Sequence, residues 1–121
     1  IWRPAFFGAF PSVDKALLEK GFHVVYYDLT HLYGSPRAQR LGTDFYDIMR
    51  RYYRLSSKVT LEGFSRGGLF AFNWGAKNPD KVACIYVDAP VCDVFSWPGR
   101  HRELWSLVGS EMCIRDRVGT N

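Results

Sequence analysis

Three apolar segments rich in β-branched and aromatic residues alternate with helical patterns, and this alternation is what most constrains the fold. The segments span residues 22–27, 58–61 and 82–87, and residues 2–7 are interpreted as an earlier strand. Apolar runs without polar alternation are typical of strands covered on both faces, as in parallel sheets. The sequence therefore predicts an α/β fold with a mostly parallel sheet and flanking helices.

Three helical patterns lie between these strands. Ser12 is expected to cap a helix over residues 13–20 that Gly21 ends, and a helix over residues 67–78 is expected to stop before Pro79. A middle helix is indicated by apolar residues at helical spacing. The positions expected to face the core are Val13, Ala16 and Leu17 in the first helix, Phe45, Ile48, Met49, Tyr52 and Tyr53 in the second, and Leu69, Phe72 and Ala76 in the third.

A G-x-S-x-G motif, Gly63 to Gly67, lies between the second of these strands and the third helix. On a strand–turn–helix junction of this kind the serine occupies a tight turn and its hydroxyl projects above the sheet. Gly63 and Gly67 are then expected where side chains would collide, and the Arg66 amide at the helix start is placed to stabilise an oxyanion. The sequence contains neither a G-x-x-x-x-G-K-[ST] nor a G-x-G-x-x-G phosphate-binding pattern.

The segments Leu61-Glu62-Gly63-Phe64-Ser65-Arg66-Gly67-Gly68 and Val87-Asp88-Ala89-Pro90 resemble bacterial members of the α/β-hydrolase superfamily. The resemblance covers residues 1–99, from that family's third strand to its sixth, and predicts a partial α/β-hydrolase fold. It implies that Ser65 is the nucleophile and that the backbone amides of Arg66 and Phe7 form the oxyanion hole, with Phe6 or Gly8 as the next choices. Aromatic packing at the strand end is the alternative interpretation of the Phe6–Phe10 loop. The implied chemistry uses no metal and no organic cofactor.

The catalytic acid and histidine are not identified in this sequence. Family order places them after later strands, so we expect them beyond residue 105 and expect the fragment itself to be inactive. The order Ser65, Asp93, His101 exists formally, but His101 follows a single strand end in an exposed basic turn. Asp88 is a candidate acid at the same sheet edge as Ser65; its alternative role is to cap the following turn.

Two loops could supply substrate contacts. His31 and Tyr33 follow the strand that ends at Asp28, and Trp97 lies after the last predicted strand. Packing within the loop is the alternative for His31 and Tyr33. An aromatic-lined site of this kind would suit sugars or aromatic acyl groups.

Residues 107–116 resemble a sequencing-library adapter translated in frame. We therefore expect residues 1–105 to form a partial α/β-hydrolase domain and residues 106–121 to be a non-native tail. Of the three cysteines, Cys84 lies in an apolar run and is expected to be buried. No cysteine or histidine spacing predicts a metal site or a disulfide framework.

The formal net charge of +4 is spread along the chain, with one cluster at Arg50, Arg51 and Arg54. We interpret this cluster as a solvated helix face and expect no nucleic-acid partner. No apolar run approaches the roughly 18 residues that a membrane span requires.

The sequence thus predicts a serine hydrolase that cleaves an ester or related acyl bond of a small molecule through a covalent acyl-Ser65 intermediate. A peptidase, a thioesterase and an acyltransferase would share these residues. The alternative of another class is a non-catalytic binding protein that keeps the fold without a working triad.

Overall fold

The computed structural model describes residues 1–92, which form four strands and three α-helices. The chain folds in the order β1, α1, β2, α2, β3, α3 and β4, with 3₁₀ turns at Thr30–Leu32 and Pro79–Lys81. The strands are β1 (Trp2–Arg3), β2 (Val25–Tyr26), β3 (Val59–Phe64) and β4 (Val82–Asp88). The helices are α1 (Ser12–Glu19), α2 (Pro36–Arg51) and α3 (Gly67–Lys77).

The four described strands form one sheet in the order β2-β1-β3-β4, and every pairing in it is parallel. The predicted α/β class, with a parallel sheet and flanking helices, is confirmed. In a parallel sheet all strands end at the same edge, so the loops that follow β1, β2, β3 and β4 meet there. This edge carries the G-x-S-x-G turn, because Ser65 directly follows β3.

One face of the sheet packs against α2 and α3 in an aromatic core. The indole of Trp2 lies 5.3 Å from the ring of Phe45 on α2 and 5.0 Å from that of Trp74 on α3. Phe70 completes this cluster at 5.1 Å from Trp2. Aromatic pairs in such tilted arrangements contribute about 0.5–1.5 kcal/mol each beyond the area they bury. The core therefore anchors α3, whose first residues border the motif.

The other face of the sheet carries buried charge. Successive side chains of a strand point to opposite faces, so Arg3 and Glu62 lie on the face opposite Trp2 and Leu61. Helix α1 covers them through Asp14, its buried residue. The apolar face predicted for this helix, at Val13, Ala16 and Leu17, is wrong, because Val13 and Ala16 are exposed and Leu17 is only partly buried. Ser12 is the first helical residue, preceded by Pro11 without a side-chain cap.

Helix α2 begins before the predicted apolar stripe and ends within it. It begins at Pro36, where the Ser35 hydroxyl oxygen accepts a hydrogen bond from the Ala38 amide at 3.3 Å. It ends before Tyr52 and Tyr53, which are exposed, as is Ile48. The predicted stripe was therefore wrong at these three positions. The buried aromatic residue of α2 is Tyr46, whose hydroxyl donates to the Ser57 carbonyl at 2.7 Å.

The third helix and the last strand also depart from the predicted burial. Helix α3 buries Leu69, as predicted, together with Phe70, Ala71 and Trp74, whereas the predicted positions Phe72 and Ala76 are exposed. Within the described residues β4 pairs on one side only, with β3, and most of its side chains are exposed. The expected burial of Cys84 was therefore wrong. No helix in the described part of the chain has both the length and the apolar composition to cross a membrane.

Candidate active site

Ser65 occupies a strained turn between β3 and α3. Its φ is +48°, in the left-handed region that side chains other than glycine rarely adopt. Holding a residue there costs about 1–3 kcal/mol and persists only where the surroundings enforce it. The side chain is exposed. This is the backbone geometry of a nucleophile elbow, in which the serine hydroxyl projects from the sheet edge.

The glycines around this turn lie where a side chain has little or no room. A Cβ added to Gly63 would lie 3.1 Å from the Gly68 Cα, and one added to Gly67 would lie 3.2 Å from the Ala5 Cβ. Gly68, which was not singled out from the sequence, is tighter, since its Cβ would lie 2.6 Å from the Pro90 Cβ. The motif glycines are thus crowded as expected, and the closest contact comes from the chain after β4.

The end of β4 holds the strained turn through both backbone groups of Ser65. The Ser65 amide donates to the Asp88 carbonyl at 3.1 Å, and the Ser65 carbonyl accepts from the Val91 amide at 2.8 Å. The same carbonyl accepts from the Gly68 amide at 3.0 Å. These bonds are the surrounding structure that keeps Ser65 at positive φ. Sequence reasoning missed this role for Asp88 and Val91, because it considered only the Asp88 side chain.

Asp88 is the last residue of β4 and is paired with Phe64, so it lies beside the turn at Ser65. Its carboxylate is exposed and makes no hydrogen bond to another residue of the described range, including the turn at Ala89 and Pro90. No hydrogen bond in the described residues therefore supports a turn-capping role for the Asp88 side chain. The position is that of a candidate acid.

The loop after β1 lies against the turn at Ser65 and Arg66. The Ala9 amide donates to the Phe6 carbonyl at 3.0 Å, which closes a turn over residues 6–9. Phe6 and Gly8 both have positive φ. The guanidinium of Arg66 lies 5.1 Å from the centre of the Phe6 ring. The loop that carries the candidate Phe7 amide thus contacts the residue whose own amide is the other candidate oxyanion donor.

The side chain of Phe7 packs against Tyr26 on β2. Its ring is 60% exposed and stacks on Tyr26 with the ring centres 5.1 Å apart. Aromatic packing, the alternative interpretation of this loop, is therefore observed for the Phe7 side chain, whereas the predicted oxyanion role concerns the Phe7 backbone amide. Arg66 is the N-cap residue of α3, so its amide lies at the positive end of that helix dipole.

The two candidate contact residues after β2 lie in different surroundings. His31 is exposed in the 3₁₀ turn, whereas Tyr33 is only 6% exposed, which favours loop packing for Tyr33. The loop packs closely against α3 at Gly34, because a Cβ added there would lie only 2.7 Å from the Leu69 carbonyl carbon. At its start, the Thr30 amide donates to the Asp28 carboxylate at 3.2 Å and holds the pKa of Asp28 below its usual value.

A buried charge cluster, formed by Arg3, Asp14 and Glu62, lies between the sheet and α1. The Arg3 guanidinium contacts Asp14 at 2.5 Å, and Glu62 is 2% exposed. Neither oxygen of Glu62 accepts a hydrogen bond from a donor group within residues 1–92. Burial, followed by a hydrogen bond to Asp14 and the Asp14 charge, raises the pKa of Glu62 to about 7. A proton on Glu62 lets it donate to Asp14, which satisfies part of the cluster.

Some of the predicted positions lie outside the described residues. These are Trp97, Asp93, His101 and the tail over residues 106–121. Among residues 1–92 no group of three or more histidine, cysteine, aspartate or glutamate side chains could hold a metal ion.

Comparison with known families identifies the domain. A model of the alpha/beta hydrolase fold family matches residues 3–109. The chain belongs to the α/β-hydrolase family. No curated protein and no solved structure gives a significant match. The four parallel strands and flanking helices are accordingly part of an α/β-hydrolase fold.

Proposed function

We propose that this α/β-hydrolase is a serine hydrolase that cleaves an ester or related acyl bond of a small molecule through a covalent acyl-Ser65 intermediate. The observation that carries the proposal is the strained, exposed Ser65 at φ +48° between β3 and the start of α3. Strain of this kind is costly, and it accumulates at sites where geometry serves function.

In the proposed reaction the Ser65 hydroxyl oxygen attacks the substrate carbonyl carbon and forms a tetrahedral intermediate. A histidine from elsewhere in the protein takes the hydroxyl proton and then gives it to the departing alcohol. A water molecule then attacks the carbonyl carbon of the acyl-serine while the histidine takes its proton. The histidine returns a proton to the departing Ser65 oxygen, and the carboxylic acid product is released. Asp88, at the neighbouring strand end, is kept as a candidate to orient that histidine.

The oxyanion in this proposal is stabilised by backbone amides. The Arg66 amide follows the nucleophile at the helix start, and the Phe7 amide belongs to the turn that packs beside it. Amide donors aimed at the developing charge contribute about 2.7–4 kcal/mol each in well-studied hydrolases. The exposed rings of Phe7 and Phe10 near this turn suit an apolar or aromatic acyl group.

The test is hydrolysis of p-nitrophenyl esters of increasing acyl length by the full-length protein, with mass spectrometry of the protein after exposure to a fluorophosphonate. We expect the reagent to label Ser65, and we expect Ser65→Ala to abolish both labelling and turnover with an unchanged circular dichroism spectrum. Ser57→Ala, at an exposed serine away from the motif, is the matched control. Turnover retained in Ser65→Ala would overturn the proposal, and an unlabelled, inactive wild-type protein would favour a binding function.

A further inference from the structure

The side chain of Arg3 joins three separate parts of the active-site region. Arg3 is the last residue of β1 and is fully buried, at 0% exposure. One guanidinium nitrogen, Nη1, donates to Asp14 on α1 at 2.5 Å, and the other, Nη2, donates to the Ala9 carbonyl at 2.7 Å. The guanidinium also lies 4.6 Å from the centre of the Phe64 ring, on the residue that precedes Ser65.

The bond to Ala9 acts on the turn that carries the candidate oxyanion amide. The Ala9 amide already closes this turn by donating to the Phe6 carbonyl. With its carbonyl held by Arg3, Ala9 is bonded on both sides, so the turn has little freedom to rotate against the sheet. Phe7 and Gly8 lie between these two fixed ends.

Stability alone is a weak reason for this arrangement. A buried ion pair often contributes no more to folding than apolar residues of the same volume, because each charge loses its hydration. Arg3 also leaves its Nε without a hydrogen-bond partner in the described residues. The fork geometry of arginine, by contrast, suits one task well, which is to hold two acceptors on different elements at once.

We propose that Arg3 is a positioning residue for the oxyanion site. Its guanidinium fixes the Phe6–Ala9 turn relative to the strand that ends at the nucleophile, through the Ala9 carbonyl, Asp14 and the Phe64 ring. This inference rests on the proposed function, since it concerns the placement of the amide that would face the oxyanion.

The primary test is Arg3→Lys in the full-length protein, with Arg37→Lys at an exposed position of α2 as the matched control. Lysine keeps the charge but offers a compact ammonium group in place of the planar fork. We expect kcat for ester hydrolysis to fall about 10- to 100-fold, because a misplaced catalytic donor costs about that much. KM should stay within about threefold of wild type, since the ground-state ester gains little from the oxyanion donors.

Amide hydrogen exchange provides a readout that does not need activity. In Arg3→Lys the Ala9 amide, which donates to the Phe6 carbonyl, should exchange about tenfold faster or more, whereas the amides of α3 should keep wild-type protection. A general loss of stability would instead raise exchange throughout. Asp14→Asn keeps an oxygen acceptor for Nη1 and removes the charge, so a smaller fall in kcat with the same local pattern is expected. If Arg3→Lys does not fold, Asp14→Asn carries the test.

Unchanged exchange of the Ala9 amide would overturn the positioning role, and faster exchange with unchanged kcat would overturn its link to the oxyanion. Hydrolysis retained in Ser65→Ala would instead show that the proposed function itself is wrong. In that case the oxyanion role of Arg3 falls with it, and local loss of protection would still support Arg3 as the residue that holds the turn.

Discussion

Replacing Glu62 by Gln should remove a pH dependence of stability that this buried carboxyl imposes on the protein. Glu62 lies in the middle of β3, and the charged groups that face it are Asp14 on α1, Arg3 on β1 and the amino group of Ile1. Burial and Asp14 raise its pKa from an ordinary value of 4.5 to about 7. Glutamine matches the protonated form in size and hydrogen bonding, and it does not ionise.

The direction of the effect follows from proton binding. Between pH 4.5 and about 7 the folded protein keeps a proton on Glu62 that the unfolded chain has lost. The free energy of unfolding must therefore fall as the pH rises through this window, and this group adds no further change above it. At about 1.4 kcal/mol per pH unit the whole window corresponds to about 3 kcal/mol. Relaxation around the ionised carboxylate reduces this, so we expect about 1–3 kcal/mol.

The assay is urea unfolding at intervals from pH 4.5 to 8, followed by tryptophan fluorescence, since Trp2 and Trp74 are buried. Glu62→Gln should match wild type near pH 4.5 and exceed its stability by about 1–3 kcal/mol at pH 8. Glu19→Gln, at an exposed carboxyl of α1, is the control and should retain the wild-type fall. An unchanged pH slope in Glu62→Gln would refute the reasoning.

Two further predictions concern the turn at Ser65, and both are measured by the same urea unfolding. Gly68→Ala should lower the free energy of unfolding by about 1–3 kcal/mol, because its Cβ would lie 2.6 Å from Pro90. Gly75→Ala is the control, because the nearest atom to its added Cβ is the Cδ1 methyl group at the end of the flexible Ile85 side chain. Equal losses of stability in the two variants would count against the steric argument. Ser65→Gly should be more stable than Ser65→Ala by about 0.5–1 kcal/mol, because only glycine is relaxed at φ +48°. Equal stability would show that Ser65 is not strained.

The strands, the helices and the tight turn at Ser65 could be predicted because their sequence signals are local. A run such as residues 82–87 is apolar wherever it folds, and Gly63-Phe64-Ser65-Arg66-Gly67 limits its own backbone to a tight turn. The parallel sheet and the position of Ser65 at the end of β3 followed from these patterns. The helix-ending effect of Pro79 is equally local, and α3 stops at Lys77 with Asn78 as its C-cap.

Burial was predicted less well, because it depends on what lies across from each element. Leu69 is buried as predicted, but Val13 and Phe72, which are also apolar and at helical spacing, are exposed, while α1 buries Asp14 and α3 buries Phe70 and Trp74. Cys84 was expected inside a sheet covered on both faces, but β4 is paired on one side only within the described residues.

The sequence by itself determined the α/β class, the chain order of strands and helices, and the turn that presents Ser65. The tertiary structure alone decided which groups meet around that turn. Asp88 and Val91 bond to the Ser65 backbone, and Arg3 reaches both Ala9 and Asp14. These contacts join residues far apart along the chain, and no local propensity specifies them. They form because parallel strands end at one edge and because a buried charge must find its partner wherever the fold places it.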